Sequence, residues 1–298
     1  MGSSDKGTTP DLRAAPLTRF RQFAAIDWSG AKGRRHKGIA LAMCHVGTEA
    51  PRLVQAPDGI WSRSQILDWL LEQAEAPLLI GIDCSFSAPF IARGAHLPGE
   101  TETASARELW AYVDAQSDDE DLGAASFLEQ RRGRHFYLGV ADGPKRDFLH
   151  WRVCEMADGQ ATKPTTVYDA IGAAQVAKAS FAGMRMLHHL AGRVPVWPFD
   201  PLPRSGAVLV EIYTAIAARA AGLPRGRSKL RDAVALDTAL AALGSAPHLP
   251  LGCYDDHATD AILAAAWLRA CANREELWCP AGLSERIRTT EGWTFGVS

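Results

Sequence analysis

At 298 residues the chain is about twice the length of a typical domain, enough for two domains or for one α/β domain with an inserted lobe. Its 47% hydrophobic and 22% charged residues, with nine Trp, ten Phe and five Tyr, exclude a disordered, collagen-like or low-complexity chain. The 32 basic and 34 acidic residues leave a formal charge of −2, so no global cationic field draws the protein onto nucleic acid or anionic lipid, and any such binding must be local.

Residues 1–19 lack the apolar core of a signal peptide and read as a flexible leader. Residues 20–27 form an apolar run ending in Asp27, followed by Trp28-Ser29-Gly30 and a basic loop at 32–37, which is the pattern of a strand and its exit turn. Apolar runs at 38–45 and 51–56, separated by a Gly-containing turn, extend it into an antiparallel meander. Ser62 or Ser64 caps a helix reaching about residue 75, with Ile66, Leu67, Trp69, Leu70 and Leu71 on its buried side, and Pro77 stops it. Residues 78–83 are near-continuously apolar, as a central strand covered on both faces should be, and end in Asp83. The helix before them implies a right-handed crossover and parallel pairing.

Between 88 and 165 the texture changes to Gly and Pro, an acidic run at 118–121 and a basic run at 131–134. Helices are expected at 104–115 and 123–132, with no strong strand, so this stretch reads as a largely helical insertion or lid. It divides a core into a first part at 20–87 and a second at 166–272. The second part has helical patterns at 173–190, 214–221, 230–243 and 256–272 and one strand at 207–213, and 273–298 reads as a C-terminal tail. The six Cys show neither C-x-x-C pairing nor zinc-finger spacing and read as reduced, mostly buried thiols of a cytoplasmic protein. The most apolar stretch, 261–268, is far short of the roughly 20 residues a membrane helix needs.

The carboxylates carry the chemistry. Where parallel strands are joined by helices, reactive groups gather beyond the carboxyl ends of the strands. If the strands ending in Asp27 and Asp83 are neighbours, their carboxylates repel each other, and a divalent cation resolves the conflict. Oxygen ligands without a His or Cys cluster favour Mg²⁺ or Mn²⁺ over Zn²⁺. Asp256 and Asp260, four apart on the last long helix, share one face near its N-terminus, and Asp255 suits the helix cap. Glu211 is an acid inside an apolar strand and needs a metal, an open edge or a buried Arg. Together these acids form the pattern of a two-metal phosphoryl-transfer site.

On these residues the chain resembles the RNase H-like family of predicted nucleases catalogued as domain of unknown function number 429. The marks, in chain order, are Ala25-Ile26-Asp27-Trp28-Ser29-Gly30-Ala31, Ile80-Gly81-Ile82-Asp83-Cys84-Ser85-Phe86-Ser87, Gly183-Met184-Arg185, Trp197-Pro198-Phe199-Asp200, Val210-Glu211-Ile212-Tyr213 and the helix containing Asp256 and Asp260. The resemblance implies a five-stranded mixed sheet flanked by helices, its first three strands antiparallel, with an acidic centre built from Asp27, Asp83 and the last helix. Two departures stand out. Thr214 follows Glu-Ile-Tyr where the family has Pro, and the helix acids are spaced by four where related nucleases often use three.

Three basic clusters are candidate phosphate contacts: Lys32, Arg34, Arg35 and Lys37; Arg131, Arg132 and Arg134; and Arg225, Arg227, Lys229 and Arg231. Arg185, in an apolar helix, has Glu211, another acid or a phosphate as its expected partner. His257 is placed to shuttle protons, Ser29-Gly30 to offer backbone N–H groups to an anion, and Trp28 and Trp197 either to stack a base or to fill the core.

The leading expectation is a metal-dependent phosphodiesterase cleaving nucleic acid or a nucleotide-like phosphodiester, with Asp27, Asp83 and Asp260 as metal ligands, Asp256 completing the site and Glu211 as an optional ligand. Ser29, Lys32, Arg34, Arg35 and Arg185 are its candidate substrate contacts. An actin-like ATP-dependent kinase and a non-catalytic binding module are the alternatives. The kinase requires two related domains.

Overall fold

The computed structural model of the chain describes residues 19–100, 103–157, 164–171, 176–225 and 229–298. Strands β1 (Gln22–Asp27), β2 (Ala40–His45) and β3 (Arg52–Leu53) form the expected antiparallel meander. Helix α1 (Arg63–Glu72) starts at a capping box: the Ser62 hydroxyl accepts from Gln65 N–H while the Gln65 side chain accepts from Ser62 N–H, so two of the helix's orphan donors are met. The chain then returns in β4 (Leu78–Asp83), parallel to β1 and in register with it, so that Asp27 stands opposite Asp83.

The stretch after β4 contributes α2 (Ala106–Ala115), α3 (Ala125–Gln130) and three short 3₁₀ turns. Next come α4 (Val176–His189), β5 (Val196–Trp197) and β6 (Val208–Glu211), then α5 (Thr214–Ala220), α6 (Ala233–Ala242), α7 (Asp256–Cys271), α8 (Glu275–Trp278) and α9 (Glu285–Thr290). The sheet order is β3-β2-β1-β4-β6-β5, with six strands instead of the expected five. The addition is β5, a two-residue strand parallel to β6 and too short to register as a periodic pattern.

Alternation along the strands sends successive side chains to opposite layers. On one face Ile26, Ile80, Ile82 and Leu209 join a core shared with α1, α2 and α4. Aromatic rings from after β4 complete that core, Phe127 and Phe136 packing against Phe181 of α4 with ring centres 5.3 and 4.9 Å apart. On the other face Ala25, Leu79, Val208 and Val210 meet the small, apolar surface of α7. Gly81 permits this approach, because a Cβ there would lie 2.7 Å from Ile212 Cγ2 and 2.9 Å from Leu268 Cδ1. Residues 273–298 are folded onto the same layer: Trp293, Phe295 and Val297 are buried, and Phe295 N–H donates to the Glu211 carbonyl at 2.8 Å. Trp28 and Trp197 are core residues, the Trp28 indole donating to the Ala179 carbonyl at 3.0 Å. All six cysteines are free thiols, with Cys44, Cys84, Cys154 and Cys271 buried. Among the described residues no helix is long and apolar enough to cross a membrane.

Candidate functional site

Because β1 and β4 are adjacent, parallel and in register, Asp27 and Asp83 end their strands side by side and on one face, the face that α7 covers. Asp255 caps α7 by accepting from Ala258 N–H at 2.9 Å, which sets the phase of the helix. Asp256 and Asp260 follow in its first turns. Each acid has a partner. Asp27 Oδ2 is 2.5 Å from His257 Nδ1 and Asp83 Oδ2 accepts from Thr214 Oγ1 at 3.0 Å. Lys229 Nζ donates to Asp260 Oδ2 at 2.7 Å, and Arg231 lies 2.9 Å from Asp256 Oδ1. Ser29 Oγ and His257 flank Gly38: a Cβ on that glycine would lie 3.2 Å from the hydroxyl and 3.4 Å from the imidazole Cε1.

The electrostatics tie the acids together. Burial, reinforced by the negative charge of Asp27 and to a smaller extent of Asp260, pushes the Asp83 carboxyl up to about 8, against the Thr214 hydrogen bond. Burial also raises Asp27, although His257 pulls the other way. Asp260 is pushed up to about 6 by burial, with Asp27 and Asp256 adding to the effect and Lys229 opposing it. His257 is raised by its hydrogen bond to Asp27. The Asp27–Asp83 pair thus resists full ionisation, with Asp83 the more strongly raised, while His257 and Lys229 offset the charge of Asp27 and Asp260.

This donor set, carboxylates from three separate elements, is of the hard oxygen type that suits Mg²⁺ or Mn²⁺. Among the described residues no three His, Cys, Asp or Glu side chains stand at metal-holding spacing, and Lys229 and His257 are the basic groups bonded to Asp260 and Asp27.

Glu211 and Arg185 are not part of this cluster. Glu211 pairs with Ile82, one residue short of Asp83, so alternation sends its side chain to the opposite face of the sheet. There it forms a two-pronged ion pair with Arg152, closest through Nη2 to Oε1, and accepts from Phe86 N–H at 2.7 Å and Thr294 Oγ1 at 2.6 Å. Arg152 also bonds Glu155, and Glu291 accepts nearby N–H groups from Phe90, Ile91 and Val153. This is a buried structural network. Arg185, on α4 and on that same side, holds Asp114 at 2.9 Å and the Asp119 carbonyl at 3.0 Å.

The basic loop after β1 is bound by acids: Lys32 by Glu129 at 2.8 Å, Arg34 by Glu120 at 2.6 Å and Arg35 by Asp58 at 2.6 Å. All three side chains remain about half or more exposed, so these pairs are weak and exchangeable. The second basic cluster is engaged locally, Arg131 with Glu100 and Arg132 with Asp142. Of the third, Lys229 and Arg231 sit on the helix acids, and Arg227 lies outside the described residues. Thr214 was marked only as a departure from the family pattern at the start of a helix, and Arg152, outside any motif or periodic run, carried no signal as a network residue.

Comparison with known proteins gives no match to a family model, a curated protein or a solved structure. The fold and site define a mixed α/β protein with an acidic centre at the carboxyl ends of two parallel strands.

Proposed function

We propose that the protein is a metal-dependent phosphodiester hydrolase of RNase H-like architecture, acting on nucleic acid or a nucleotide-like phosphodiester. The observation that carries this reading is the in-register pairing of Asp27 with Asp83, which burial and mutual repulsion leave short of positive charge. Supporting it are the meander, crossover helix and parallel return, and the placing of Asp260 by α7 near enough to Asp27 and Asp83 for their charges to act on one another. Asp27, Asp83 and Asp260 would hold Mg²⁺ or Mn²⁺. When bound, the metal supplies activation of water and stabilisation of the leaving oxygen. Thr214 orients the Asp83 carboxyl, and His257 fixes that of Asp27. Lys32, Arg34 and Arg35 lie on the loop leaving β1 and meet phosphate by exchanging their acidic partners. The free thiols suit a reducing compartment, and we place the enzyme in the cytoplasm.

Asp27→Asn tests the assignment. It should abolish Mn²⁺-dependent cleavage of oligonucleotides while leaving the melting temperature unchanged or raised, and unimpaired cleavage refutes it. The second reading, a non-catalytic binding module, draws on Lys229 and His257, which satisfy the acids without any ion. Titration with Mn²⁺ separates the two, because a vestigial site binds none at millimolar concentration. The kinase alternative wants two related lobes, whereas the described residues form one sheet.

A further inference from the structure

We infer that Lys229 is a resident cation of the acidic centre that competes with a divalent metal for Asp260. The inference rests on the metal-site reading above and adds a mode of control to it. Lys229 Nζ lies 2.7 Å from Asp260 Oδ2 and 3.8 Å from Asp256 Oδ2, and its charge is felt by Asp27 as well. Two residues on, Arg231 engages Asp256 at 2.9 Å, so one short basic segment ahead of α6 bridges to the acids at the start of α7.

The chemistry of the two cations decides the competition. An ammonium that close to a carboxylate oxygen and a metal ion bound to the same carboxylate repel each other, so each weakens the hold of the other. Lysine suits a removable plug: its charge is compact and strongly hydrated on a flexible stem, and the Lys229 side chain is 49% exposed, so it swings into water at little cost. His257 holds Asp27 through a ring on α7 itself, whereas Lys229 arrives from a separate segment and can withdraw without disturbing the helix. The native protein therefore binds metal less tightly than its ligand set allows.

The test is Mn²⁺ affinity of the full chain at neutral pH, read as loss of the free-ion electron paramagnetic resonance signal, with melting curves confirming the fold of each variant. Lys229→Gln removes the charge and should tighten the dissociation constant roughly tenfold, while Lys229→Arg keeps it and should stay close to the native value. Binding detected in Lys229→Gln alone supports the inference equally. Native binding with an unchanged or weaker constant in Lys229→Gln overturns it and leaves the metal site standing. No Mn²⁺ bound by either protein overturns both.

Discussion

Replacing Asp83 with Asn removes a charge the folded protein resists, so Asp83→Asn should stabilise the metal-free protein, and more so as pH rises. In the unfolded chain the carboxyl ionises near its ordinary 3.8, but in the folded pocket it is held up to about 8 by burial and by Asp27. Between those values the folded state binds the extra proton, so its stability falls as pH climbs from about 4 to about 8. Each pKa unit corresponds to about 1.4 kcal/mol, and the roughly three units spanned by pH 7 set a ceiling of about 4 kcal/mol. The asparagine amide brings donors of its own that need partners, which cuts the net gain to about 2 kcal/mol. For a chain of this size that is roughly 3 °C in melting temperature. Calorimetry without metal at pH 5 and pH 8 measures it: the variant should melt a few degrees above the native protein at the higher pH and close to it at the lower. Added Mn²⁺ should raise the native melting temperature and leave that of the variant almost unmoved. Equal shifts at the two pH values, or destabilisation at pH 8, would show that Asp83 is not a frustrated carboxyl.

Arg152→Met should cost about 3–5 kcal/mol in urea unfolding, because it strands Glu155 and Glu211 as buried, unpaired acids. A loss under about 1 kcal/mol would place those charges in contact with water. Gly30→Ala puts a Cβ 2.2 Å from Ala179 N and 2.3 Å from Lys178 C, so the exit loop of β1 or the start of α4 must move. The expected cost is about 1–3 kcal/mol in the same assay, and an unchanged midpoint would mean that the loop does not pack on α4 as described.

Much of this architecture was legible in the residues. The carboxyl-ended runs at Asp27 and Asp83, the helix between them and the Ser62 cap each have a local signature, and from them follow a meander, a crossover and two neighbouring acids. The four-residue spacing of Asp256 and Asp260 likewise announces a shared helix face. Glu211 shows what local reading leaves open: a buried Arg was among its expected partners and Arg152 is that partner, but the residues alone did not choose it over a metal. Its role turns on register with β4: one position of offset sends the side chain to the other layer, and no run of residues within β6 states that offset. Its partner Arg152 lies 59 positions away in a stretch without periodicity, so the pair exists only in three dimensions. Lys229 was visible as one member of a basic cluster, but its orientation toward Asp260 depends on how the segment before α6 crosses α7.

The Arg152 network has a consequence for how the polypeptide reaches its final form during synthesis. Its hub comes from the stretch after β4, its main acid from β6, and its closing hydroxyl, Thr294, lies 83 positions beyond Glu211. A nascent chain that has emerged only as far as β6 holds Glu211 and Arg152 without the hydroxyl or the neighbouring Glu291 that complete their surroundings. The network around Arg152 and Glu211 is therefore complete only when residue 294 is free to fold, and a chain cut short before it leaves that buried pair without its last hydroxyl partner.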